Sequence, residues 1–227
     1  MIKAVVFDLD HTLFDRYETL RLVVPEFRKK FSIADEITDE FIWENICWAD
    51  KQYVHRGWQE IYAHLVNAGV FKDVPKYSEY QEFVTYCFGR IAVPFKFSKG
   101  VLEEIKNMGL KTGLITNATH EIQMSKLKLL GLTESFDEII ISGDTPYEKP
   151  QKEIFLLMAE KLGVEPFEMM YVGDHPKFDV WGSQNAGCIP VWVKTTGTWI
   201  FPEIEKPQLQ VETVKEVPDI VRGLNAR

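Results

Sequence analysis

The chain has 227 residues, with 26 Lys and Arg against 34 Asp and Glu, giving a formal net charge of −8. That length allows one large domain or a domain carrying an insertion, and 45% hydrophobic with 26% charged residues is the balance of a folded chain. The acidic surplus argues against a nucleic-acid polymer or an anionic membrane as partner, since both call for a basic surface. Apolar runs such as 139–141 and 169–172 are too short to span a bilayer. The opening Met1-Ile2-Lys3 leads straight into a strand-like run with no leader pattern. Cys47, Cys87 and Cys188 are odd in number and widely spaced, which suggests buried thiols in a reducing compartment. A cytoplasmic location is the expectation.

Ala4-Val5-Val6-Phe7 is continuous and apolar, as in a strand buried on both faces, and it ends abruptly in Asp8-Leu9-Asp10-His11-Thr12. From about residue 18 to 92 apolar and aromatic residues recur at helical spacing instead. Phe41, Ile42, Asn45, Ile46, Ala49 and Tyr53 trace one face, and Tyr80, Phe83, Val84, Cys87 and Ile91 another. About four helices are expected there, with Trp43, Trp48 and Trp58 in their core. One of these rings, or Arg56, is the candidate for stacking on a substrate. His55 and His64, nine apart, lack the spacing of a helical metal pair.

Beyond Pro94 helix and strand alternate. Helices are predicted at 101–108, 120–130, 150–162 and 177–186, and strands at 110–116, 138–141, 169–172 and 188–193; a short apolar run at 209–211 and a last helix from 218 follow. Such alternation means a parallel sheet with helices on both faces. The predicted architecture is therefore a doubly wound, Rossmann-like α/β core, residues 1–14 and 95–227, interrupted by an all-helical insertion, residues 15–94.

In open α/β sheets ligands bind at the carboxyl ends of strands. Those ends carry Asp8 and Asp10, then Thr116 and Asn117, then Gly143-Asp144 with Lys149-Pro150 beyond, then Gly173-Asp174 with Asp179 five residues on. The segment 143–146 is expected to be a loop that positions Lys149. Asp8 and Asp10, joined by Asp174, would repel one another unless a cation sat among them, and an all-oxygen set completed by water and phosphate suits Mg²⁺. Lys149 and the Thr116 hydroxyl would hold phosphate oxygens. One carboxylate could attack phosphorus while the other moves the proton.

These segments resemble the haloacid dehalogenase-like (HAD) hydrolases. The resemblance is carried by Asp8-Leu9-Asp10-His11-Thr12, Ile115-Thr116-Asn117, Glu148-Lys149-Pro150 and Gly173-Asp174 with Asp179, in the family's order. It spans residues 1–14 and about 95–190, and the insertion resembles the helical cap of the subgroup whose cap lies between the first two motifs. The resemblance implies that Asp8 is the nucleophile and Asp10 the general acid and base. It gives Mg²⁺ as cofactor, bound by the Asp8 and Asp174 side chains and the Asp10 carbonyl. Thr116, Asn117 and Lys149 would bind the phosphoryl group, with Thr12 and Asp179 in support. Dehalogenases of the family lack an aspartate two residues after the nucleophile, so Asp10 points to phosphate esters. His11 stands where the family often has Gly, and His175 follows Asp174.

The implied activity is a phosphomonoester hydrolase using an aspartyl phosphate on a small phosphorylated metabolite, with a nucleoside monophosphate as first candidate. A phosphomutase of the β-phosphoglucomutase type is the alternative enzyme. A phospho-accepting signalling module is the alternative of another class, but it would have no use for a helical insertion of this size.

Overall fold

A computed structural model of the protein describes residues 1–53, 58–196, 199 and 201–226. His55 and Arg56 lie outside the described residues. The chain divides into two compact units, Met1–Asp15 with Pro94–Arg227, and Arg16–Val93.

The first unit is an α/β layer structure. Among the described residues its sheet has six strands: β1 (Ala4–Phe7), β2 (Lys111–Thr116), β3 (Glu138–Ile141), β4 (Met169–Gly173), β5 (Ile189–Val193) and β6 (Leu209–Val211), in the order β3-β2-β1-β4-β5-β6. Every pairing is parallel. β1 sits in the middle with all four residues buried, which is why its sequence is apolar without alternation. The chain leaves β1, pairs β2 and β3 on one side, then returns to place β4 on the other. Register does the rest: Phe7 faces Leu114 and Val172, and Thr116 faces Ile141. The strands therefore end at one level, and the residues after them share one edge.

Ala4, Val6, Ile115, Ile140 and Tyr171 meet Ile154, Phe155, Met158 and Leu162 of α7 (Lys152–Leu162) in one core cluster. Val5 and Phe7, alternating with these, face the opposite side. α7 stops at Gly163, whose φ of +63° is the left-handed cap that an L side chain adopts at a cost. α5 (Ser98–Asn107), α6 (His120–Leu130), α8 (Gly182–Asn185) and α9 (Val217–Asn225) complete the layers.

The helix expected at 101–108 starts three residues earlier, at Ser98, and two elements nearer the strand ends differ from the sequence expectation as well. α7 starts at Lys152 and not at Pro150, because Lys149 and Pro150 belong to a loop whose backbone is held by Asn117. The helix expected at 177–186 begins as a wide π-helical stretch, Pro176–Trp181, before α8. There His175 Nδ1 accepts from the backbone of both Lys177 and Phe178, and Asp179 turns back onto His175.

The second unit contains α1 (Arg16–Lys30), α2 (Asp39–Gln52), α3 (Trp58–Asn67) and α4 (Tyr77–Phe88) among its described residues. Thr38 caps α2 by accepting from Phe41 N at 3.1 Å. Its core is aromatic: Phe27 lies 4.9 Å from Phe31, 5.6 Å from Phe71 and 6.0 Å from Phe83, ring centre to ring centre. Trp43 and Trp58 pack against this core. Trp48 does not; it is 48% exposed and stacks on His64. An interior ion pair runs from Arg16 to Asp50 at 2.9 Å, with the guanidinium over the rings of Trp58 and Phe88. Among the described residues no helix is long and apolar enough to cross a membrane.

Candidate active site

The site is built at the carboxyl edge of β1, β2 and β4. Asp8 follows β1, and its backbone N–H bonds Val172 O at 2.9 Å, extending the ladder by one residue. The carboxylate is buried. Its Oδ1 accepts from Lys149 Nζ at 2.6 Å and its Oδ2 from the Thr12 hydroxyl at 3.3 Å. Burial lifts the Asp8 carboxyl to about 7; Lys149 opposes that lift, while the charges of Asp179 and Asp10 add to it.

Lys149 is equally enclosed. Its ammonium lies between Asp8 and Asp179, 2.7 Å from Asp179 Oδ1, with the Tyr171 hydroxyl at 3.1 Å. Burial alone would lower it, but Asp179 and Asp8 together hold it well above its usual range. Asp179 is placed by a close approach: its Oδ2 accepts from His175 N at 2.9 Å, and a Cβ at Gly173 would collide with the Asp179 side chain. Only glycine fits there. His175 stays neutral, pushed down to about 3 chiefly by burial.

Asp174, after β4, completes the group. Carboxylate oxygens of Asp8, Asp174 and Asp179 lie within 4.8 Å of one another. Trp192 Nε1 holds the Asp174 carbonyl at 2.8 Å. Its carboxylate, in contrast, makes no hydrogen bond or ion pair with any described residue. Burial first, then the neighbouring carboxylates, raises it well above its usual value. Three buried carboxylates share one ammonium here, and one of them has no partner. That donor set fits a hard divalent cation, which Asp8 and Asp174 would hold, Asp179 being already engaged by Lys149 and His175.

Asp10 lies a short way off, partly buried. Lys126 Nζ reaches both its oxygens, at 2.9 and 3.0 Å, and Gln123 Nε2 reaches Oδ2 at 3.2 Å. The same Gln123 nitrogen donates to Thr116 Oγ1 at 2.6 Å and to Asn117 O at 3.1 Å. Thr116 is thus brought to the site with an acceptor lone pair filled, leaving its own proton to donate. Asn117 takes a different place from the one expected. Its amide bonds both backbone groups of Lys149, donating to the carbonyl at 3.0 Å and accepting from the N–H at 2.9 Å. The loop at 143–146 makes no such contact with Lys149; its Asp144 instead meets His120 at 2.7 Å.

Sequence reasoning missed Gln123, Lys126 and Tyr171. The first two had a signal: Gln123, Lys126, Leu127 and Leu130 form the buried stripe of α6, so two polar residues occupy positions where a packed helix would carry apolar ones.

Comparison with known proteins agrees with this geometry. Residues 5–193 match the family described as haloacid dehalogenase-like hydrolase. A glyceraldehyde 3-phosphate phosphatase from Methanopyrus kandleri is 28% identical over 238 residues, covering 99% of each chain. An N-acylneuraminate-9-phosphatase from Rattus norvegicus is 25% identical, covering 100% of this chain and 96% of its own. Among solved structures, a magnesium-bound Bacillus subtilis protein, YfnB, described as a HAD hydrolase, superposes with a TM-score of 0.73 at 19% identity, over 97% of this chain and 98% of its own. A match that runs from β1 to the end of β5, through every strand end that bears a buried carboxylate, places the chain in the haloacid dehalogenase-like hydrolase family.

Proposed function

We propose that the protein is a Mg²⁺-dependent phosphomonoesterase that transfers the phosphoryl group to Asp8 and then to water. The observation that carries the reading is the pairing of two differently held carboxylates. Asp8 is buried against Lys149, and Asp10, two residues on, is held by donors of its own. An attacking group and a separate proton carrier are what a two-step ester hydrolysis needs.

In the first step an Asp8 oxygen bonds to phosphorus as the P–O bond to the substrate breaks, and the departing oxygen takes a proton from Asp10. In the second, Asp10 takes a proton from water as the water oxygen bonds to phosphorus. The bond to Asp8 then breaks, releasing inorganic phosphate and restoring both aspartates. Lys149 and the Thr116 hydroxyl meet the phosphoryl oxygens. Asn117 serves by holding the Lys149 backbone. Thr12 and Asp179 hold Asp8 and Lys149. Asp8, Asp174 and the Asp10 carbonyl would bind Mg²⁺, which would neutralise charge on the transferring group. The magnesium in the Bacillus subtilis structure supports that choice of ion.

Relatives named for glyceraldehyde 3-phosphate and for an N-acylneuraminate 9-phosphate agree on the bond and differ on the molecule that bears it. Small phosphorylated sugars and aldehydes therefore join nucleoside monophosphates as first substrates to test. The insertion, by its place between Asp10 and Thr116, is assigned the choice among them.

The test is phosphate release from such a panel with Mg²⁺ and with EDTA, Asp8→Asn serving as blank. Metal-dependent release absent from the blank is expected. Release by the blank at the native rate overturns the assignment of Asp8, and interconversion of sugar phosphates without release favours a phosphomutase.

A further inference from the structure

We infer that Lys126 and Gln123 are positioning residues for Asp10, serving the step in which water attacks the phosphorylated enzyme. The inference rests on the reading of Asp10 as proton carrier and goes beyond it, because neither residue belongs to the motif segments that define the site.

The argument begins with what α6 buries. Gln123 is 1% exposed and Lys126 4%. A lysine that deep is costly unless a partner meets it, and Lys126 meets both oxygens of Asp10 across 116 residues of chain. Gln123, one turn earlier on the same face, adds a third hydrogen bond, to Asp10 Oδ2, and a bond to Thr116 Oγ1. Its other atom, Oε1, is buried without a hydrogen-bond partner among the described residues. Turning the amide over would satisfy no more, since it would set oxygen against the Asp10 carboxylate. The amide is therefore fixed, and the helix holds the proton carrier and the phosphate-binding hydroxyl in one piece.

The chemistry of the donors assigns the step. Lysine offers protons and accepts none, and the Gln123 nitrogen does likewise. Donors such as these orient a carboxylate, the form of Asp10 that accepts the proton of the attacking water. Water's oxygen then bonds to phosphorus and the bond to Asp8 breaks. Formation of the phosphorylated enzyme from an ester with a good leaving group asks little of Asp10, so the two halves of the reaction should separate.

The experiment is rapid-quench kinetics with ³²P-labelled p-nitrophenyl phosphate and Mg²⁺ on the native enzyme, Lys126→Met, Lys126→Arg and Asp10→Asn. In Lys126→Met, breakdown of the phosphorylated enzyme should slow about tenfold to a hundredfold, part of the ~10²–10⁴ that a positioned acid or base supplies. Its formation rate and KM should stay within about twofold of native, and Lys126→Arg should recover most of the breakdown rate. A structural role alone would lower both rates together or raise KM, and either result overturns the inference. So does a native breakdown rate in Lys126→Met while Asp10→Asn is slow. If Asp10→Asn itself keeps the native breakdown rate, the underlying reading of Asp10 fails instead. Should Lys126→Met not fold, Lys126→Gln, which removes the charge and leaves Thr116 untouched, is measured in its place, with the same two rates deciding.

Discussion

The helical unit and the α/β unit both bury charge, and they do so on different terms. In the helical unit the buried charge is Asp50 paired with Arg16, in a fork of bonds at 2.9 and 3.2 Å, roofed by Trp58 and Phe88. Around it lies a core of packed rings. At the strand ends of the α/β unit, Asp8, Asp174 and Asp179 face one another with a single lysine among them. Opposite charges that meet in this way can be explained by packing and stability. An excess of one sign, kept buried with Asp8 and Asp174 lifted from their ordinary titration range, has no such account and fits a ligand of the opposite sign.

Variants can break this contrast, and the largest effect is expected at Asp8. Asp8→Asn should cut phosphate release by ~10³-fold or more, since it removes the nucleophile. Its melting temperature without metal should not fall, because the change relieves a crowded charge; a large drop would mean that the aspartates hold the fold together. The helical unit should behave in reverse. Phe27→Ala, at the centre of the ring cluster, should cost ~3–5 kcal/mol by denaturant titration, with kcat per folded molecule nearly native.

A sharper probe is Gly173→Ala, whose new Cβ would collide with Asp179. Moving Asp179 moves Lys149, so kcat/KM should fall by about tenfold to a hundredfold, a loss of ~1.4–3 kcal/mol of transition-state binding; native kcat/KM would show that Asp179 does not place Lys149. The smallest effect belongs to Thr12→Val, which deletes a 3.3 Å bond to Asp8. A loss of about threefold to tenfold in kcat/KM is expected, the worth of one ordinary hydrogen bond, and a hundredfold loss would promote Thr12 to a direct part.

Much of this was legible in the sequence. The apolar run of β1, the glycine after α7 and the polar residues following each strand all depend on neighbours close in the chain, and local pattern records those. Lys126 and Gln123 were missed because their partner Asp10 lies more than a hundred residues away, so helical periodicity shows only that two polar residues break an apolar stripe. Tyr171 was missed for a similar reason: within β4 it looks like any aromatic strand residue, and its hydroxyl matters because Lys149 and Asp179 come to meet it. The start of α7 was misplaced because a proline is compatible with a helix's first turn, and nothing local shows that Asn117 has claimed the backbone beside it. His11 departs from the glycine common at its position, yet the backbone keeps the conformation glycine favours, at φ +61°.

The two bonds from Asn117 to the Lys149 backbone give the site a separation useful to an engineer. They grip main-chain atoms that every amino acid but proline carries, so the shape of the loop is set without reference to the side chain it presents. Position 149 is in effect a socket: its mounting and its fitting are specified by different residues. A shortened amine or an unnatural cation could be installed there with the loop still in its native path, and its reactivity read without a rebuilt scaffold as confounder.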